Sequence, residues 1–176
     1  NYMNNEAKPL VNKAVQNSYS PGSTFKMITA IAGLESGTIT TTTKINDVGV
    51  YRKYRDYQPK CWYYSDYGRG HGWLDVAGAI EKSCNYFFYQ TADNMGIDTL
   101  VKYAEYFGLG TKTGIELQSE TSGQLASRET KQKLHPNDPT WYPADSLQAA
   151  IGQNDNEFSP LQMAKYISML ANGGKQ

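Results

Sequence analysis

The sequence predicts a helix-dominated domain with little strand, and three observations carry that reading. Apolar residues recur at helical spacing in several windows, among them 25–34, 100–107 and 161–171. Glycines close these windows at Gly37, Gly108 and Gly173. Residues that favour extended chain cluster only briefly, at 38–43, 48–51 and 115–117. At 176 residues, with 39% hydrophobic and 19% charged side chains, the chain suits one domain around one core.

Each element follows from local chemistry. Residues 1–20 are polar and without a clear period, so they read as a leading segment. Pro21-Gly22 breaks the chain before a helix on which Phe25, Ile28 and Ala32 share a face, with Met27, Ile31 and Leu34 beside them. The threonine run 38–43 predicts short extended structure, and 48–51 a second short strand. Residues 52–73 predict an irregular loop, and connections of that length are usually functional or held by something. Asp75 predicts the cap of a helix through Val76, Ala79 and Ile80, and an aromatic-rich helix over 86–94 ends at Gly96. Asp98 predicts the cap of the next, which carries Leu100, Val101, Ala104 and Phe107. Residues 109–145 read mostly as loop, and a further helix begins near Ser146. The clearest start signal is Ser159-Pro160-Leu161-Gln162, a capping serine, a proline at the first helical position and a glutamine that completes a capping box.

Charge and cysteine usage narrow the function. Seventeen basic residues balance seventeen acidic ones without a long run of either sign, which leaves no electrostatic footprint for nucleic acid. No apolar stretch approaches the ~20 residues that cross a bilayer, and no signal peptide opens the chain. Two cysteines exclude a dense disulfide scaffold but permit one bridge, a metal site or two free thiols.

The strongest chemical signal is Ser23 followed by Lys26 at the mouth of a helix, one turn apart on one face. A serine hydroxyl needs a neighbouring base to act as a nucleophile, and a desolvated lysine can be that base. By itself the pair is weak evidence, since a helix cap and a solvated lysine describe it far more often. Its surroundings say more. The string Tyr19-Ser20-Pro21-Gly22-Ser23-Thr24-Phe25-Lys26 closely resembles the active-site serine motif of penicillin-binding proteins, and Ser83-Cys84-Asn85 fits their second motif, Ser-x-Asn. Leu10 to Ala14, Gly108-Leu109-Gly110, Thr113 to Leu117, Ile151-Gly152-Gln153 and Ser159 to Ala164 extend the resemblance over nearly the whole chain. Cys61-Trp62 followed by Gly70-His71-Gly72 is most similar to the elongation-type class B members.

The resemblance implies a peptidoglycan D-alanyl-D-alanine transpeptidase that works through an acyl-serine and is a target of β-lactams. Ser23 would attack the stem peptide, Lys26 would take its proton, Ser83 would relay a proton to the leaving amine, and Asn85 would hold the substrate amide. It implies an α+β fold of the β-lactamase/transpeptidase type. Residues 1–176 would be a partial domain, mainly its helical part, with most of the antiparallel sheet, including the early strands and the C-terminal catalytic strand, outside the chain. Alone, such a piece should be nearly inactive, since one missing oxyanion donor typically costs ~100–1000-fold. Lys112-Thr113-Gly114 spells the third family motif but precedes the Gly152-Gln153 and Ser159-Pro160 landmarks that should come before it, so it reads as a turn. Implied partners are stem peptides, β-lactams and the cell-wall elongation machinery, at the extracytoplasmic face of the membrane in a parent anchored by an N-terminal segment.

Two related readings fit less well. A class A serine β-lactamase needs a deacylating glutamate that has no match after Asn85, and a class D enzyme or a β-lactam sensor domain carries an apolar residue where this chain has Asn85. No cofactor is required for the chemistry. A structural Zn²⁺ is one reading of Cys61, His71 and Cys84, with Asp56 as the fourth ligand; free thiols and a Cys61–Cys84 disulfide are the others.

Overall fold

Helices form where the sequence supplies one continuous apolar face, and extended chain survives only where two short segments find each other. The computed structural model describes residues 10–175, so the first nine positions of the leading segment lie outside the described residues. A 3₁₀ turn, Gly22–Phe25, runs directly into helix α1, Lys26–Glu35. There follow β1 (Ile45–Asp47), α2 (Trp62–Tyr67), β2 (Gly72–Leu74), α3 (Val76–Glu81), α4 (Asn85–Met95), α5 (Ile97–Tyr106), α6 (Arg128–Leu134), α7 (Pro143–Ala149) and α8 (Pro160–Ala171).

Helix α1 is buried on most sides because it divides two apolar clusters. Phe25, Ile28 and Ala32 face the larger, with Leu100, Phe107, Leu109, Phe158 and Tyr166 from α5, α8 and their flanking loops. Ala30 faces the smaller, with Ile39, Ile45, Leu74, Phe87 and Phe88, and this cluster also encloses both cysteines. Each large side chain withdrawn from water contributes roughly 2 kcal/mol. Lys26 thus opens a helix anchored on both sides, and Ser23 lies in the turn that leads into it.

Several local expectations are corrected. The threonines at 38–43 form turns rather than a strand: Thr43 Oγ1 accepts from Thr40 N at 2.8 Å, a local bond that competes with a ladder. The strand begins two residues later as β1 and pairs antiparallel with β2, Ile45 opposite Leu74 and Asp47 opposite Gly72. At 48–51 there is only a single bridge, Val50 to Lys60, since Gly49 at φ +94 turns the backbone out of the extended region. The 52–73 loop carries α2 and β2. Gly96 rather than Asp98 occupies the α5 cap; Asp98 sits in the first turn, where its charge suits the helix dipole. No strand forms at 115–117, and α6, capped by Ser127, lies in what reads as loop. Helix α7 starts at Pro143, three residues before Ser146. Asp75 does cap α3, its Oδ1 accepting from Gly78 N at 2.9 Å, and Ser159 and Gln162 form the reciprocal capping box of α8.

Candidate active site

Four polar side chains from two regions of the chain meet around one amine. Ser23 lies in the 3₁₀ turn and Lys26 opens α1, so their spacing sets them together without long-range help. Ser83 lies in the link between α3 and α4, and Asn85 is the first residue of α4. Lys26 Nζ lies 3.1 Å from Ser23 Oγ, 3.0 Å from Ser83 Oγ, 2.8 Å from the Ser83 carbonyl oxygen and 2.5 Å from Asn85 Oδ1. Lys26 is only 2% exposed, and burial pushes its amine down to about 8 against a partial pull upward from Cys61 and Cys84. In its neutral form this amine can receive a proton from either serine hydroxyl.

The nucleophile's turn is fastened by residues far along the chain. Gly152 O accepts from Gly22 N at 3.0 Å and from Ser20 Oγ at 2.8 Å, while Tyr166 OH donates to Thr24 O at 3.0 Å. Gly152 has φ +74, and a Cβ there would sit 2.1 Å from Gly22 O. Gly152→Ala is therefore expected to destabilise the fold by about 2 kcal/mol or more and to slow Ser23 acylation. Thermal unfolding and acylation rate check it; a variant with wild-type values in both shows that the clamp does not position Ser23.

Lys112-Thr113-Gly114 forms a loop, not a strand. Glu120 accepts from Thr113 N and Thr113 Oγ1 at 2.6 Å each and from Gly114 N at 3.3 Å, which holds this turn closed.

Beside the serine–lysine pair, on the Cys84 side, lies a second polar cluster. Asp47, Cys61, His71 and Cys84 bring one ligand atom each to within 4.8 Å of one another. Cys61 Sγ is 3.9 Å from Cys84 Sγ and 3.6 Å from His71 Nδ1, and Asp47 Oδ2 is 2.7 Å from His71 Nδ1 and 3.3 Å from Cys84 Sγ. Zn–S bonds of about 2.3 Å in a tetrahedron subtend edges of about 3.8 Å, so the 3.9 Å sulfur separation and the S₂NO donor set fit Zn²⁺, while Asp47 Oδ2 and His71 Nδ1 are hydrogen-bonded to each other and would part to bind it. Asp56 is corrected here: it is exposed and outside the cluster, and Asp47 takes the carboxylate position. Pairing of β1 with β2 sets Asp47 against Gly72, beside His71, a juxtaposition that depends on strand register and has no short-range signature.

The cluster's electrostatics follow from its crowding. Burial pushes the Asp47 carboxyl up, but donors from the His71 backbone and ring and from the Gly49 and Cys84 groups overcome this and hold it below the usual range. The contact between the two sulfurs pushes the Cys61 thiol down and, with burial, the Cys84 thiol up.

A serine hydroxyl touching a buried amine, opposite a second hydroxyl and an amide, has the make-up that a serine acyl-transfer site requires, and it sits in a β-lactamase/transpeptidase-like fold. The chain belongs to the penicillin binding protein transpeptidase domain family, whose profile matches residues 1–176. Within it the chain is similar to the class B, PBP2/MrdA-type members: it is 39% identical over 178 residues to the peptidoglycan D,D-transpeptidase MrdA of Escherichia coli (strain K12), covering 98% of this chain and 26% of that protein. It superposes on the PBP2 of Helicobacter pylori solved in complex with MreC with a TM-score of 0.88 at 30% identity, over 98% of this chain and 31% of that one. Penicillin-binding protein A of M. tuberculosis, solved as a ceftriaxone acyl-enzyme, gives a TM-score of 0.79 at 28% identity, over 98% and 36%. The chain spans about a quarter of the length of the curated relative it matches.

Proposed function

We propose that this chain carries the nucleophile, base and proton relay of a peptidoglycan D,D-transpeptidase, and the observation that carries the reading is the fourfold contact of Lys26 Nζ with Ser23, Ser83 and Asn85. Ser23 Oγ attacks the carbonyl carbon of the penultimate D-Ala of a stem peptide as neutral Lys26 takes its proton. The tetrahedral intermediate collapses with cleavage of the D-Ala–D-Ala amide; Ser83 passes its proton to the departing amine and takes back from Lys26 the one that came from Ser23. The ester on Ser23 then transfers its acyl group to an amine of a second strand, which restores the serine. Asn85 orients the substrate amide. A β-lactam enters the same sequence, but its ring nitrogen stays tethered to the acyl group, which blocks the second half.

The base sets the pH dependence. With the Lys26 amine pushed down to about 8, roughly a tenth is neutral near pH 7. Acylation of Ser23 by a penicillin in the full-length protein, followed by intact mass, is expected to accelerate about tenfold per pH unit below that value and to level off above it. A rate independent of pH across about 6–9 removes Lys26 as the base.

The donor set and the sulfur spacing support a structural Zn²⁺ held by Asp47, Cys61, His71 and Cys84. With all four positions filled by protein, it would supply rigidity beside the site and no chemistry. We place the protein where peptidoglycan is assembled, outside the cytoplasmic membrane and within an elongation machinery, in keeping with the H. pylori PBP2–MreC complex. Among the described residues no helix is long and apolar enough to cross a membrane.

A further inference from the structure

The proposed reaction uses the side chains of Lys26 and Ser83 but not the indole that reaches the same peptide. Trp62, the first residue of α2, shares its N–H between two successive carbonyl oxygens, 3.1 Å from Lys82 O and 3.0 Å from Ser83 O. The Ser83 oxygen also accepts from Lys26 Nζ at 2.8 Å, so one carbonyl joins the indole to the amine. These two oxygens bracket a strained residue. Ser83 has φ +48, a left-handed conformation that costs a non-glycine residue about 1–2 kcal/mol and persists only where neighbours over-determine it.

Two backbone bonds contribute, Ser83 N to Ile80 O at 3.0 Å and Cys84 N to Ala79 O at 2.9 Å. Both fix peptide N–H groups; among the described residues, the side chains that hold the two carbonyls are Lys26 and Trp62. Trp62 is itself well placed to act as a clamp. Cys61 before it is fully buried, with its N–H on Gly49 O at 2.7 Å, and the indole stands edge-on to His71 and Tyr63 at 5.7 and 5.6 Å. Yet Trp62 is 39% exposed, so its ring is not a core member whose truncation would empty a cavity.

From these contacts we infer that Trp62 is a positioning residue for acylation, whose indole N–H holds the Ser83 peptide in the left-handed turn so that Ser83 Oγ and O both face Lys26. This rests on the acyl-transfer reading above. It also gives the loop that bears Cys61 and His71 a direct mechanical link to the proton relay.

The test compares wild-type, Trp62→Phe and Trp62→His full-length protein in acylation by a fluorescent penicillin, with the first-order acylation constant resolved from the Kd of the initial complex. Trp62→Phe keeps an aromatic ring and deletes the donor; Trp62→His retains a ring N–H. The expected result is a loss of about tenfold in the acylation constant for Trp62→Phe with Kd and Tm unchanged, and partial recovery in Trp62→His. A wild-type constant in Trp62→Phe, or an equal loss in both variants that follows their Tm, overturns the positioning role. Wild-type protein that is not acylated, or is acylated elsewhere than Ser23, overturns the acyl-transfer reading itself and this role with it.

Discussion

Replacing Lys26 with methionine is expected to slow acylation of Ser23 by about a thousandfold while leaving the protein folded. A positioned base contributes ~100–10,000-fold. Among the described residues the Ser23 hydroxyl makes its one side-chain hydrogen bond to Lys26, so no second base stands ready. The structural cost should be small. Methionine keeps an unbranched stem of similar length and removes a buried amine that lies 6.0 Å from the centre of the Phe88 ring. Ser83 O retains the Trp62 donor. Intact mass after timed exposure to a penicillin gives the rate, and circular dichroism gives Tm. Rapid acylation of a folded Lys26→Met protein would sink the assignment of Lys26 as base.

Removing the metal is expected to have the largest effect on stability. Protein prepared with zinc should carry one equivalent by elemental analysis. If free metal exceeds its Kd a thousandfold, binding stabilises by about 4 kcal/mol, and stripping it should lower Tm by roughly 10 °C. Asp47→Ala should reproduce the loss without a chelator, since it deletes a ligand. Metal-free protein with an unchanged Tm would end the zinc reading, and absence of titratable thiols would establish a Cys61–Cys84 bridge instead.

What the sequence makes legible is what short-range geometry controls. Ser23 and Lys26 lie one turn apart, and Ser83 and Asn85 two residues apart across a helix start, so their grouping within each pair needs only local structure. The α8 capping box is likewise written in four consecutive residues. Asp47 is different. It reaches His71 through the pairing of two three-residue strands separated by a long connection, and nothing near Asp47 advertises that partner. Asp56 is nearer Cys61 in sequence but lies on the exposed side of that connection. The helix α2 hides for a related reason: its six residues, four aromatic with Ser65 and Asp66, include no strong helix former, and it is anchored from outside by Cys61 and the Trp62 contacts rather than by propensity. Helix α6 has ordinary helix formers but few apolar positions, so it shows almost no periodic stripe.

The fastening of the serine turn by Gly152 has a temporal implication. During synthesis the segment around Ser20 and Gly22 leaves the ribosome some 132 residues before the carbonyl that fixes it, and Tyr166 arrives later still. Until then the hydroxyl and the amine are neighbours in a turn with no fixed orientation. If Ser23 is the acyl-transfer nucleophile proposed above, the growing polypeptide is expected to stay unreactive until distant parts of the chain have docked. Acylation by a penicillin would then double as a report that these elements have completed their assembly.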